Sequence, residues 1–306
     1  MDDWILAMQS WGIPLERISQ ISNLPVPGDI YKEIDLRIQR QTKAPEAVLY
    51  STAHLPETEN LYYKDHNLYE FEAKIVDVFM NVLENQKRNI LILDRSAIYP
   101  TSGGQQHDTA IVRIEGVDQE FFMKNAEKVG KVVLHILDNE LPEDIDSLKG
   151  RRVFVKIDAH RRGQLRAHHT GTHIVFAACR KILGPHVWQN GAKKTTEQAH
   201  LDITHFKGLT KEQEKAIENE ANRIINESHT INKYFMDKAD AEKQFGFHLY
   251  QGGIVPGNSL RIVNIDGVDT EACCGTHCDN TSEVGWIRIL KTQRVSDGIL
   301  RLYYVA

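Results

Sequence analysis

Residues 166–184 read RAHHTGTHIVFAACRKILG, a histidine-rich start followed by an apolar run that ends at a glycine. On an α-helix, His169 and His173 stand one turn apart on one face, so both imidazoles can reach a single point. A His-x-x-x-His pair alone is a weak metal signal, because such pairs are more often solvated or lie at the edge of a core. Asp158 is the predicted N-cap of this helix and Gly184 its predicted end.

A second half-site lies far along the chain, at residues 273–277, which read CCGTH. Cys273 and His277 would join His169 and His173 in a candidate tetrahedral set of three imidazoles and one thiolate, and the thiolate favours Zn²⁺ over magnesium or calcium. If all four bind at once, the site is closed and structural, whereas a catalytic zinc keeps one position for water or substrate. The sequence leaves this choice open.

Composition places the chain among ordinary globular proteins. It has 306 residues, 41% hydrophobic and 26% charged, which predicts two domains, or two plus a small appendage. No apolar run approaches the roughly 20 residues that span a membrane, and the N-terminus lacks the basic start of a signal peptide. We interpret the chain as cytoplasmic, with no membrane partner. The net charge of -5 argues against nonspecific coating of nucleic acid but allows a local basic surface. The oligomeric state stays open.

The hydrophobic pattern divides the chain into three parts and predicts the α+β class. Residues 1–59 are predicted to be a short helical appendage and a linker, because helical spacing is interrupted by prolines and glycines. Residues 60–157 show period-two alternation, which predicts a small β-barrel domain, with a sandwich as the alternative. Residues 158–306 mix strands and helices without strict alternation, which predicts a two-layer α/β domain that contains the zinc set.

Local signals give finer predictions in the third part. Thr210 and Gln213 form a predicted capping box at the start of a helix. Residues 187–191, VWQNG, predict a turn, and residues 200–205 predict a strand. Residues 284–290 predict another strand.

A glycine-rich segment at residues 99–108, YPTSGGQQHD, lies between two predicted strands. The paired glycines Gly103 and Gly104 allow positive φ and a close backbone approach to another segment or to a ligand. Taken alone, such a segment is more often a tight turn.

Basic residues gather before and at the start of the histidine helix: Arg151, Arg152, Arg161, Arg162 and Arg166. A run of this kind is usually a solvated face. On the approach to a metal centre it is also a candidate contact for a phosphate backbone, and the two interpretations stay open.

Several enzyme classes find no support in the sequence. It has no nucleophile elbow of a Ser-His-Asp hydrolase and no phosphate-binding glycine loop with lysine. The absence of glutamate after His169 argues against a His-Glu-x-x-His protease helix.

Four ordered motifs resemble the editing domain of alanyl-tRNA synthetases and of the free-standing AlaX editing proteins. Residues 168–173, HHTGTH, resemble their His-His-Thr-Ala-Thr-His element, and residues 273–277 resemble their Cys-Gly-Gly-Thr-His. The glycine-rich segment resembles the family's motif in the preceding β domain, with Gly103, Gly104, Gln105 and Asp108 at the matching positions. Residues 187–205 supply the remaining match, with Gln189-Asn190-Gly191 and Asp202 to His205 at the family's Gln-x-Gly and Asp-x-x-His elements. Residues 1–41 resemble the tail of the tRNA-recognition region of archaeal-type alanyl-tRNA synthetases.

The resemblance implies hydrolysis of tRNA(Ala) mischarged with serine, and with glycine, through zinc bound by the four predicted ligands. It implies that Gln189 takes part in editing and that Thr170 or Thr172 contacts the serine hydroxyl. It also implies that the five arginines meet the acceptor stem. Gly171 and Cys274 depart from the family's pattern, and Cys274 and Cys278 leave alternative thiolate ligands open.

Three functions follow as alternatives. The leading one is a hydrolase that acts in trans on mischarged tRNA(Ala). The second is an editing unit that works in cis beside an alanyl-tRNA synthetase aminoacylation module. The third is a non-catalytic tRNA-binding module stabilised by a structural zinc.

Overall fold

The computed structural model of the chain describes residues 52–83, 86–142, 144–251, 253, 255 and 257–306. The predicted helical appendage therefore lies outside the described residues. Of the predicted linker, residues 52–59 are described and end in a short strand, β1 (Glu59–Asn60). A 3₁₀ turn (Leu61–Tyr63) follows it.

The first half of the described chain is a closed antiparallel barrel. Its strands are β2 (Glu70–Leu83), β3 (Gln86–Leu93), β5 (Ala110–Ile114), β6 (Glu120–Val129), β7 (Val132–Leu137) and β8 (Arg152–Ile157). They pair in the order β2, β3, β7, β6, β5, β8, and β8 returns to β2. A short strand, β4 (Arg95–Ser96), pairs in parallel with β1. A 3₁₀ turn (Asp146–Leu148) precedes β8. The predicted small barrel is confirmed.

Side-chain alternation fills the barrel, as strand β8 illustrates. Val153, Val155 and Ile157 are buried inside, and they alternate with the exposed Arg152 and Lys156. Because successive side chains of a strand point to opposite faces, this pattern supplies an apolar interior and a polar exterior.

The second half combines helices with two antiparallel sheets. Its helices are α1 (Ala159–Leu183), α2 (Lys211–Asn226) and α3 (Lys238–Phe245). Strands β9 (Gln189–Lys194), β10 (Ala199–Thr204), β14 (Arg288–Ser296) and β15 (Ile299–Val305) form one sheet in the order β14, β15, β10, β9. Strands β11 (Ile231–Asp237), β12 (Ser259–Ile265) and β13 (Asp269–Ala272) form the other. Two 3₁₀ turns span Gly246–Leu249 and Thr281–Val284.

One apolar core joins α1, α2 and the sheet that contains β10 and β15. Phe176 of α1 and Ile217 of α2 pack there with Leu201 and Leu302 from the sheet, all fully buried. The described residues thus show a mixed α/β fold with a six-strand barrel. The predicted boundaries at residues 59/60 and 157/158 stay a prediction.

Local helix signals behave as predicted. The Asp158 carboxylate accepts a hydrogen bond from the Arg161 backbone N–H at 3.0 Å and caps α1, and Gly184, with φ of 115°, ends it. The capping box of Thr210 and Gln213 begins α2. These caps satisfy backbone N–H groups that have no partner inside the helix.

Two local predictions are wrong. The turn predicted at residues 187–191 gives way to strand β9, which pairs with β10 although its sequence is polar. The strand predicted at residues 284–290 begins only at Arg288, because Gly285 has φ of 82° and ends a preceding 3₁₀ turn.

No helix in the described part of the chain is long and apolar enough to cross a membrane.

Candidate metal centre

Helix α1 carries the first two donor groups. His169 and His173 lie on one face, and both are nearly fully buried, at 2% and 3% exposure. Their rings are 5.9 Å apart, as expected for positions one turn apart. The predicted pairing of these imidazoles on one helix face is present in the structure.

The loop after β13 brings the other two donors to α1. Gly275 permits this approach, because a Cβ at that position would lie 2.0 Å from Cε1 of His169. The Arg261 guanidinium donates to the carbonyls of Cys273 and Gly275 at 2.8 and 2.9 Å and fixes the loop. The backbone N–H of Cys278 donates to the Thr170 hydroxyl at 3.0 Å.

The four predicted ligands converge. The donor atoms of His169, His173, Cys273 and His277 all lie within 4.8 Å of one another. Sγ of Cys273 is 3.4 Å from Nε2 of His169 and 3.3 Å from Nε2 of His277. Ligands of a tetrahedral zinc at about 2.0–2.3 Å from the metal lie roughly 3.3–3.8 Å apart, so these separations fit. The donor set therefore fits a zinc ion.

Hydrogen bonds orient two of the imidazoles. Nδ1 of His169 donates to Oε1 of Gln105 at 2.7 Å. Nδ1 of His173 donates to Oδ2 of Asp269 at 3.0 Å and lies 3.4 Å from Oε2 of Glu271. With Nδ1 engaged in this way, each ring presents Nε2 to the centre, an arrangement typical of metal-binding histidines.

The protonation preferences of the donors also suit a cation. Burial raises the pKa of the Cys273 thiol, but His169 and His277 counteract this and bring it well below its ordinary value. Burial lowers the pKa of His169 to about 4 and that of His277 well below its ordinary value. A thiolate beside neutral imidazoles is the form that binds metal.

His173 differs from the other two imidazoles. Burial lowers its pKa, but Glu271 and Asp269 outweigh burial and raise the pKa well above its ordinary value. A metal ion bound at Nε2 would therefore replace a proton on this ring.

Asp269 and Glu271 are site residues that the sequence interpretation missed. Both are on β13, and Glu271 is 5% exposed with its Oε1 atom lacking a hydrogen-bond partner within the described chain. Alternation along a strand places Asp269, Glu271 and Cys273 on one side, because they are two residues apart. That spacing could have identified them.

The glycine-rich segment contacts this region. Gly103 and Gly104 have φ of 54° and 75°, and a Cβ at Gly104 would lie 2.1 Å from the Ala192 carbonyl oxygen on β9. The buried Lys194 ammonium donates to the Gly103 carbonyl at 3.0 Å. The structure thus shows both predicted features, a tight turn and a close backbone approach.

Asp108 of the same segment is paired rather than free. Its carboxylate binds the Arg162 guanidinium at 2.9 and 2.5 Å, and both side chains are fully buried. The backbone N–H of Tyr99 also donates to Asp108, at 2.6 Å. This ion pair connects the barrel segment to the first turn of α1.

The other predicted arginines differ in exposure. Arg166 is buried, donating to Asn67 at 2.7 Å and lying 3.4 Å from Glu283. Arg151 and Arg161 are half-buried, and Arg152 is exposed in an ion pair. Arg162 and Arg166 therefore present little or no surface to a phosphate backbone, whereas the other three do.

The predicted catalytic residues are not among the four donors of the cluster. The Thr172 hydroxyl donates to the His168 carbonyl at 2.9 Å and bonds the Tyr304 hydroxyl at 2.5 Å. Gln189 begins β9, and its backbone N–H donates to Oε1 of Gln251 at 3.0 Å. With its bond from Cys278, the Thr170 hydroxyl is engaged as well.

Known families match the chain over both halves. Residues 2–161 match the model of class II (A) tRNA synthetases, and residues 260–303 match the second additional domain of threonyl and alanyl tRNA synthetases.

Curated relatives extend this match to the whole chain. The alanine–tRNA ligase of Ignicoccus hospitalis is 36% identical over the whole chain and 34% of its own length. That of Methanopyrus kandleri is also 36% identical over the whole chain and 33% of its own length. That of Methanobrevibacter smithii is 42% identical over 82% of this chain and 27% of its own length. The chain spans about a third of the length of the curated relatives it matches.

Proposed function

This chain belongs to the alanyl-tRNA synthetase family, and we propose that it hydrolyses the ester of tRNA(Ala) mischarged with serine, and with glycine as a second substrate. The observation that carries the proposal is the convergence of His169, His173, Cys273 and His277 in one cluster, in which the three imidazoles are buried and two of them are oriented by hydrogen bonds. The partner is the mischarged tRNA. The chain would bind it either in trans, as a separate protein, or in cis, next to an aminoacylation module.

Selection of alanine explains why such a reaction is needed. A synthetic site that accepts a methyl side chain discriminates weakly against glycine, which is smaller, and against serine, which adds one hydroxyl. A second, hydrolytic site removes the errors that binding alone admits. A cluster of candidate metal ligands outside any aminoacylation module fits this role.

The residues of this chain supply binding and orientation. When bound, zinc would supply Lewis-acid polarisation of an ester carbonyl or a water of lowered pKa. Cys273 provides the thiolate, and Asp269 keeps the Nδ1–H tautomer of His173.

Substrate recognition rests on predicted contacts to the amino acid and to the tRNA backbone. Gln189 and the hydroxyls of Thr170 and Thr172 stay predicted contacts, and a serine hydroxyl would have to compete with the internal bonds of both threonines. Arg151, Arg152 and Arg161 are better candidates for contacts to the tRNA backbone than Arg162 and Arg166, because only the first three are exposed or half-buried.

Deacylation assays test the reaction. Under single turnover, we expect the chain to release serine from Ser-tRNA(Ala) and glycine from Gly-tRNA(Ala), and to leave Ala-tRNA(Ala) largely intact. Cys273→Ala should abolish release, because it removes the thiolate ligand. Cys179→Ala is the matched control: Cys179 is a free, buried cysteine on α1 outside the cluster, so its removal should leave the rate within about twofold.

A second candidate is a tRNA-binding module with a structural zinc. It is favoured by the donor count, since four protein donors that bind together close the coordination shell. Stoichiometric zinc with no release of serine or glycine would support the module and contradict the hydrolase.

A further inference from the structure

Gln105 lies in the glycine-rich segment of the barrel half, and both polar atoms of its side-chain amide contact residues of the metal centre. It is fully buried. Its Oε1 accepts from Nδ1 of His169 at 2.7 Å and from the backbone N–H of Thr276 at 3.2 Å. Its Nε2 donates to the Thr276 hydroxyl at 2.8 Å. One glutamine therefore contacts both halves of the ligand set, the helix and the Cys273–His277 loop.

The backbone around Gln105 is constrained at several points. Ser102 and Gln105 exchange backbone hydrogen bonds at 3.1 and 2.8 Å, which closes the turn at the two glycines. Outside the turn, Lys194 donates its backbone N–H to the Gly104 carbonyl at 2.7 Å and accepts from Gln106 at 3.1 Å. Gln105 is thus presented by a segment docked along β9.

These contacts fix which atom of the amide faces the histidine. The backbone N–H of Thr276 can only donate, so the amide atom next to it must be the carbonyl oxygen, Oε1. The same oxygen faces Nδ1 of His169, so that nitrogen must carry the proton. Nε2 of His169 then has a free lone pair, and it faces Sγ of Cys273 at 3.4 Å.

We propose that Gln105 is a positioning residue that keeps His169 in its Nδ1–H tautomer, with Nε2 presented to the metal. The inference rests on the metal centre of the proposed function. It gives the glycine-rich segment a defined role, because Gln105 on this segment would orient a ligand of the metal ion. The two helix histidines are then oriented by different chemistry, His169 by an amide and His173 by carboxylates.

The test is the affinity of the intact chain for Zn²⁺, measured by competition with a chromophoric chelator. Gln105→Met keeps the length of the side chain but removes the acceptor. We expect it to weaken binding about 10–100-fold, the usual cost of losing an outer-shell partner of a ligand. Gln105→Glu keeps an acceptor for both N–H groups, and the Thr276 hydroxyl can turn to donate to it. We expect this variant to bind at least about ten times more tightly than the methionine variant.

Gln106→Met is the matched control, since it makes the same change one residue along the same segment. Gln106 is half-buried, and its Oε1 accepts from Arg161 at 3.3 Å, away from the ligands. Its zinc affinity should equal that of the unmodified chain. Equal affinity of Gln105→Met and the unmodified chain would overturn the inference and leave the metal centre standing. If the unmodified chain binds no zinc, the metal centre fails and the inference fails with it.

A measurement on the unmodified chain covers the case in which Gln105→Met does not fold. A histidine-selective nitrogen NMR spectrum of the zinc-loaded protein reports which ring nitrogen carries the proton. We expect His169 to be protonated on Nδ1. Protonation on Nε2, with Nδ1 toward the metal, would overturn the inference.

Discussion

Two buried histidines of this molecule have nearly the same exposure and different surroundings. His135 in barrel strand β7 is 1% exposed, and His169 in α1 is 2% exposed. Burial lowers the pKa of each to about 4. In His135, Nδ1 donates to the Leu91 carbonyl at 3.2 Å and Nε2 accepts from the Ser96 hydroxyl at 2.8 Å. In His169, Nδ1 donates to Oε1 of Gln105 at 2.7 Å, whereas Nε2 faces Sγ of Cys273 at 3.4 Å.

The difference shows what distinguishes a candidate ligand from a core histidine. Burial and a lowered pKa are common to both, so neither property identifies the metal centre. In His169, one nitrogen is oriented by a hydrogen bond and the other is directed to the point where the further donors meet. His135 has no such free nitrogen and satisfies its polar atoms locally.

The largest expected effect is on metal binding. His169→Ala should weaken Zn²⁺ affinity by more than about 100-fold, since loss of an outer-shell partner alone costs about 10–100-fold. His135→Ala makes the same chemical change in the barrel and should leave the affinity of the folded protein unchanged. Chelator competition on both variants measures this. A comparable loss in both would remove the distinction between the two histidines.

A smaller effect concerns stability against pH. The pKa of His135 is about 4 in the folded chain and about 6.5 when unfolded, so below pH 6.5 the unfolded state binds more protons. His135 should therefore lower the free energy of unfolding as pH falls from 6.5 to 4, by about 1.4 kcal/mol per pH unit. Above pH 6.5 it should have no pH-dependent effect.

His135→Gln isolates this contribution, because glutamine does not titrate and the other histidines stay in place. Urea unfolding across pH 4 to 7 should show a gentler decline for the variant, with the two curves parallel above pH 6.5. Parallel curves over the whole range would mean that the buried imidazole does not resist protonation.

Much of the fold follows from local sequence signals. Asp158 and Gly184 bound α1, and Thr210 with Gln213 begins α2, because capping depends on residues only a few positions apart. The clustering of the four candidate metal ligands was predictable as well, since each half-site is one short motif with distinctive chemistry.

Features that depend on distant pairing were not predictable. Strand β9 is polar, and its own sequence shows no alternation that would predict a strand. It forms because it pairs with β10. The local sequence predicts that Arg162 is solvated. In the structure it pairs with Asp108, which lies 54 positions away in the sequence. The reach of Gln105 into the centre likewise depends on the barrel closing and docking its glycine-rich turn along β9.

The most direct test of the central claim, that this centre is a hydrolytic site, follows serine release from Ser-tRNA(Ala) through metal removal and return. The zinc-loaded chain should hydrolyse the ester, the chelator-stripped chain should lose that activity while circular dichroism shows the fold retained, and added Zn²⁺ should restore it. An unchanged rate in the stripped chain, verified to be free of metal, would contradict the account.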